Sequence, residues 1–263
     1  MKKFSKFFIP LFLAVILTFV TGCKKDDDDE LPTFAGFSLT EEEIINKIPE
    51  GLVNSSDENA QACVDAIESA ADWSSFYSSL TPPEGATKVS NKSTTGEGTW
   101  KWSTPYEGHT MTFYWTFEET STQYMWTMQI QFDNSTKYNY IEAWELKDGT
   151  QGEIKFNFGW ACIYYELYYD EYYEDCEELY WIYSWNVNAE GVINYTFVWE
   201  SSDNEYPYYL QYELVLNPDG SGTLDYYSAG GYTHWHYEWD ADGNGSWVWY
   251  YENEVYMSGT WTA

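Results

Sequence analysis

The chain contains no arginine; its 12 basic residues are all lysine, set against 43 Asp or Glu, for a formal net charge of −31. A surface of that sign cannot neutralise a phosphate backbone, which argues against nucleic-acid binding. Gly-x-Ser-x-Gly and any glycine-rich phosphate loop are also missing, so the common nucleophile-elbow and nucleotide signatures are absent. No uncharged apolar run reaches the ~20 residues that a membrane-spanning helix needs. Aromatic residues, by contrast, are abundant: 15 Trp, 26 Tyr and 14 Phe make up 21% of the 263 residues. A chain with so much apolar surface to bury is not a disordered acidic tail.

Lys2, Lys3 and Lys6 precede a 14-residue uncharged run from Phe7 to Val20, followed by Thr21, Gly22 and Cys23. This is the layout of a secretory signal. Val20-Thr21-Gly22-Cys23 resembles the lipobox of bacterial lipoproteins. The resemblance implies cleavage before Cys23, whose thiol and amine would be acylated with palmitate-type chains, several of which anchor stably where one binds marginally. The charged run Lys24 to Glu30 reads as a solvated tether. A run of acids just behind the cysteine resembles the surface-export signal of Bacteroidota lipoproteins. The implied location is the outer membrane, lipid-anchored and facing the cell exterior, with the membrane itself as a partner. The expected organisation is a signal peptide over 1–22, lipidated cysteine and tether over 23–38, a helical segment over 39–95 and a β domain over 96–263.

Thr40 with Glu43, and Ser55 with Glu58, each fit a capping box; Pro49 stops the first helix. Ala60, Val64, Ile67 and Ala71, with Cys63 alongside, make one apolar stripe on a helix of about 20 residues. From Gly96 the period changes to two. Tyr124, Trp126, Met128, Ile130 and Phe132 lie on one face of a strand, and Ile193, Tyr195, Phe197 and Trp199 on one face of another. Lys147-Asp148-Gly149, Asn188-Ala189-Glu190-Gly191, Asn217-Pro218-Asp219-Gly220 and Asp240-Ala241-Asp242-Gly243 fall between such runs and read as tight hairpin turns. The predicted fold is mainly β. It is a curled up-and-down antiparallel meander, a half-open or closed barrel, with the N-terminal helical segment packed on it. Its layout is similar to the half-open barrels of lipoprotein carriers.

Four features bear on chemistry. Asp240, Asp242 and Asn244, with Gly245 in sixth place, match the first half of a calcium loop, but the twelfth position is Tyr251 rather than Glu. Ca2+ is the one cofactor this suggests, and a plain acidic hairpin turn is the competing reading. His234 and His236 project from the same face of a strand and form a second metal candidate, with Glu238 and Asp240 following on that face. Trp235, between them, faces the other way with the core-like rings Tyr237 and Trp239, and is also a candidate ligand-binding residue. Tyr168, Tyr169, Tyr172 and Tyr173, interleaved with acids, suit stacking on a sugar or cover for neighbouring strands. Cys162 and Cys176 flank that segment and are able to bridge it outside the cytoplasm; Cys63 is then a small buried hydrophobe.

The expectation is a non-catalytic binding module for extracellular glycan or another polar ligand. A carrier of an apolar molecule beneath the helix is the first alternative, and a glycan-acting enzyme with a carboxylate pair is the second.

Overall fold

The structure, a computed structural model, describes residues 41–78, 82–83, 85–91, 98–160, 164, 167–168, 180–200, 210–228 and 232–263. Its helices are α1 (Glu41–Ile45), α2 (Glu50–Val53) and α3 (Glu58–Ser78). The strands are β1 (Thr87–Asn91), β2 (Gly98–Tyr106), β3 (His109–Glu119), β4 (Gln123–Phe132), β5 (Tyr138–Leu146), β6 (Gln151–Asn157) and β7 (Tyr180–Val187). They continue as β8 (Ile193–Glu200), β9 (Leu210–Leu216), β10 (Gly222–Ser228), β11 (Thr233–Trp239), β12 (Gly245–Tyr251) and β13 (Glu254–Trp261). All thirteen pair antiparallel in chain order in one sheet. β1 and β13 are its edges, so the meander stays open and the closed-barrel alternative falls away.

Alternation decides which side is inside. Met111, Phe113, Trp115 and Phe117 of β3 are buried, as are Trp126, Met128, Ile130 and Phe132 of β4. Their ring and methyl groups form one cluster with Tyr195, Leu214, Leu224 and Tyr237 farther along the sheet. The outer face is held by short polar pairs such as Thr99–Thr116 (3.0 Å) and Ser103–Thr112 (2.9 Å). The stripe of α3 closes the inner side, where Ala60, Cys63, Ile67 and Ala71 are fully buried in the same cluster. Burying a side chain the size of Ile67 contributes ~1.5–3 kcal/mol.

Two local details differ from the sequence expectation. The cap of α3 is Asp57, whose Oδ1 accepts from the N–H groups of Asn59 (2.8 Å) and Ala60 (3.4 Å). Ser55 Oγ accepts instead from Asp57 N–H, which turns the chain into the cap. A carboxylate there also meets the positive end of the helix dipole. Inside the segment expected to be helical, Thr87–Asn91 forms the edge strand β1.

One packing device recurs. Trp185, Trp239 and Trp261 sit opposite Gly152, Gly222 and Gly245 on the neighbouring strand. Each indole lies over its glycine, and each indole N–H donates to a turn carbonyl: Gly149 (3.3 Å), Gly220 (2.9 Å) and Gly243 (2.8 Å). A Cβ on Gly222 would stand 2.6 Å from the Trp239 ring and 2.4 Å from the Val215 carbonyl oxygen. The same turns seat the short helices. A Cβ on Gly51 of α2 would lie 2.1 Å from the Asp242 carbonyl oxygen, so backbone packs on backbone there.

Gly222→Ala is expected to destabilise the protein by ~1–3 kcal/mol through overpacking. Urea unfolding of the Cys23→Ser chain checks this. An unchanged midpoint would show that the indole does not need a bare backbone beneath it.

Candidate functional site

The inner face of the C-terminal strands carries a row of rings at matched register: Phe197, Tyr212, Tyr226, Trp235 and Trp249 lie opposite one another on β8 to β12. Tyr212 and Tyr226 stack at 4.8 Å between centroids, Tyr226 and Trp235 at 5.4 Å, and Trp235 and Trp249 at 5.5 Å with planes 4° apart. Parallel rings make contact at ~3.5–4.0 Å, so a 5.5 Å centroid separation means an offset of roughly 4 Å. The rings are offset from one another like overlapping tiles. All four from Tyr212 to Trp249 are half-buried. The row ends at edge strand β13, where Tyr256 meets Trp249 edge-on at 4.6 Å and is 64% exposed. Among the described residues, the Trp249 Nε1–H has no hydrogen-bond partner although the atom is buried. Burial pushes the Tyr212 hydroxyl up to about 12, so it stays a donor at neutral pH. The row contains the predicted Trp235, which packs against the core cluster that includes the α3 stripe.

On the opposite, outer face of the same strands, the two predicted histidines meet a residue that the sequence did not suggest. Asp225 of β10 lies directly opposite His236 of β11, and Tyr227 opposite His234. One oxygen, Asp225 Oδ1, is 2.6 Å from His234 Nε2 and 2.8 Å from His236 Nδ1. His234 is sandwiched between Tyr227 (4.2 Å, 12°) and Tyr250 (4.9 Å, 13°), which fixes its plane. Burial raises the pKa of Asp225, but the hydrogen bonds from His236 and His234 outweigh it and hold the carboxyl below its usual range. The Asp225 hydrogen bond raises His236 in turn. Glu213 faces Asp225 from β9. Asp225 could be found only by fixing the β10–β11 register, and the 229–231 link between them lies outside the described residues.

Asp240, Asp242 and Asn244 are not brought to the histidines. They form the β11–β12 hairpin turn. Asp240 Oδ1 accepts from the N–H groups of Asp242 (2.9 Å) and Asn244 (3.0 Å), and Oδ2 from the Asn244 side-chain amide (3.0 Å). Asn244 Oδ1 accepts from Ala263 N–H (3.0 Å). Asp219 serves the β9–β10 turn in the same way, taking both the N–H (3.0 Å) and the hydroxyl (2.7 Å) of Ser221. Asp240 and Asn244, two of the three side chains that resembled half a calcium loop, therefore hold this turn together.

Tyr168 lies at the other end of the sheet. Its ring stacks on His109 at 3.6 Å and its hydroxyl donates to Asp133 Oδ2 (2.8 Å), which also bonds His109 Nδ1 (3.0 Å). Burial, together with that hydrogen bond, pushes the Tyr168 hydroxyl up to about 12. These contacts hold Tyr168 against His109 of β3 and Asp133 just after β4. Cys63 is buried in the core with its thiol pushed up by burial. Tyr169, Tyr172, Tyr173, Cys162, Cys176 and Cys23 lie outside the described residues.

No protein-family model matches this chain, and neither a curated protein nor a solved structure is significantly similar to it.

The turn carboxylates give the fold an acid limit. Asp148, Asp219 and Asp240 lie below the ordinary carboxylate range because Thr150, Ser221 and Asn244 side chains, and backbone N–H groups, donate to the ionised form. A depressed folded pKa contributes stability that is present above the unfolded value of ~3.9 and is lost as pH falls through the folded pKa. The melting temperature is therefore expected to fall below pH ~4. Replacing Asp148 and Asp219 by Asn keeps an acceptor but removes the titration, so the decline should become shallower. Superimposable pH profiles for variant and parent would rule this out.

Proposed function

We propose that this chain is a non-catalytic binding module displayed on the cell exterior. In this reading acylated Cys23 holds it to the outer membrane and the inner-face aromatic row takes up extracellular glycan or a similar polar ligand. The observation that carries the reading is the tiled row Tyr212–Tyr226–Trp235–Trp249 opening at Tyr256. Offset rings present apolar steps on which the C–H face of a sugar can lie. Phenol and indole donors at their edges suit its hydroxyls, since Tyr and Trp combine an apolar body with a polar tip. The space between α3 and the sheet is occupied by Cys63, Ile67, Leu224 and Tyr237, packed in one cluster. This favours the row over a carrier cavity beneath the helix.

A glycan array probed with the Cys23→Ser chain tests the binding. Trp235→Ala should weaken any hit at least about tenfold, equivalent to ~1.4 kcal/mol. Tyr168→Phe, altered at the far end of the sheet, should leave the hit unchanged. Loss with Tyr168→Phe alone, or no hit at all, would overturn the reading. For the anchor, Cys23→Ser is expected to move the protein from the membrane to the soluble fraction on cell fractionation, and a chain that stays membrane-bound would refute it.

A further inference from the structure

We infer that Asp225, His234 and His236 form a binding site for a divalent transition-metal ion of the zinc or copper class on the outer face of the sheet. This is independent of the proposed glycan row, which lies on the opposite face.

Convergence is the first argument. One ligand atom from each side chain lies within 4.8 Å of the other two. Antiparallel register sets this up. His234 and His236 project together because they are two apart on β11, and Asp225 is placed against them by direct pairing with His236. The donor set is the second argument. Two imidazole nitrogens and one carboxylate oxygen are the ligands that zinc and copper take; Ca2+ and Mg2+ prefer all-oxygen shells.

Both imidazoles are already aimed at a common point, each with one ring nitrogen hydrogen-bonded to Asp225 Oδ1. A metal at that focus displaces both protons and turns both nitrogen lone pairs inward. With bonds of ~2.0–2.1 Å, tetrahedral ligands stand about 3.3 Å apart. The observed 2.6 and 2.8 Å separations need to open by about 0.7 and 0.5 Å, a side-chain adjustment of the order that rotamer wells allow.

The surroundings fit as well. Tyr227 and Tyr250 clamp the His234 ring from both faces, so its orientation is set before the ion arrives. The three side chains are 21–30% exposed, which keeps the site reachable but partly shielded. Glu213 opposite Asp225 and Glu238 beside His236 add negative potential without crowding the focus. No lysine follows Lys155, so nothing of fixed positive charge competes for Asp225 in the C-terminal strands. Three protein ligands leave a coordination position free toward solvent for water or for a ligand oxygen.

The test uses the full chain in detergent, with the metal ion alone as probe. Calorimetric titration with Zn2+ at neutral pH is expected to show one site per chain. Asp225→Asn should weaken it at least tenfold, and His236→Gln should remove it. Excess Ca2+ should not compete. Cu2+ bound to the parent chain should give an electron paramagnetic resonance spectrum with hyperfine splitting from two imidazole nitrogens, a readout that does not depend on any variant folding. Zn2+ affinity unchanged in His236→Gln would overturn the assignment, as would a Cu2+ spectrum without two nitrogen ligands.

Discussion

The indole of Trp239 lying on the bare backbone of Gly222, with its N–H on the Gly220 carbonyl, ties strand, neighbouring strand and turn together in one contact. Trp261 repeats it on Gly245 and Gly243. Those two turns then carry the helical segment. The carbonyl of Lys47 and the ring of Pro49 rest near Gly220, and α2 rests against Gly243. Gly220 and Gly243 have φ of 88° and 92°, so the turn geometry they supply is one that other residues adopt only with strain. An open sheet has one face it must cover and no closure to help it. Here the tight turns seat the α1–α2 segment, which packs on the covering helix α3, and the turns are positioned by indoles from the face that α3 covers.

Charge is distributed along the sheet in a way that makes its two halves different. The lysines of the N-terminal strands lie over aromatic rings: Lys137 is 3.5 Å from the Tyr114 centroid, Lys155 is 4.7 Å from Tyr180, and Lys88 is 5.3 Å from Trp100. Lys147 also pairs with Glu119. Past Lys155 the sequence has 19 acids, no lysine and no arginine. Among the described residues, Asp225 pairs with two of the three histidines of the chain, and an acidic half of this kind favours cations over anions.

The sequence made the meander legible because large apolar residues recur at every second position in β4 and β8, and because acid–glycine pairs mark the turns after β5, β7, β9 and β11. The stripe on α3 was legible for the same reason, since its period is unambiguous. Strand β1 escaped because Thr87–Asn91 carries a single apolar residue, Val89, and that residue is 49% exposed. The cap of α3 escaped because Ser55 and Asp57 both satisfy the local pattern, and only three-dimensional geometry decides between them. His234 and His236 could be placed on one face from their spacing alone. Asp225 could not, because cross-strand partners depend on the length of a connection rather than on local pattern. The tiled row was half visible: Trp235 was expected among core residues, but its stacking on Tyr226 and Trp249 requires the registers of three strands at once.

The ring row runs across β9 to β12, the Asp225–His234–His236 cluster stands on β10 and β11 within that span, and alternation puts them on opposite faces. Asp225 stands between Leu224 and Tyr226, and Trp235 stands between His234 and His236. A one-residue slip of β11 against β10 would exchange the two faces, sending the imidazoles into the apolar cluster and Trp235 into water. Registry is therefore the shared requirement. The Trp239–Gly222 and Trp261–Gly245 contacts enforce it from the turn end, because an indole fits only over the glycine and nowhere else along either strand. A polar cluster outside and a ring platform inside can thus coexist in one layer of backbone, each fixed by packing that belongs to neither.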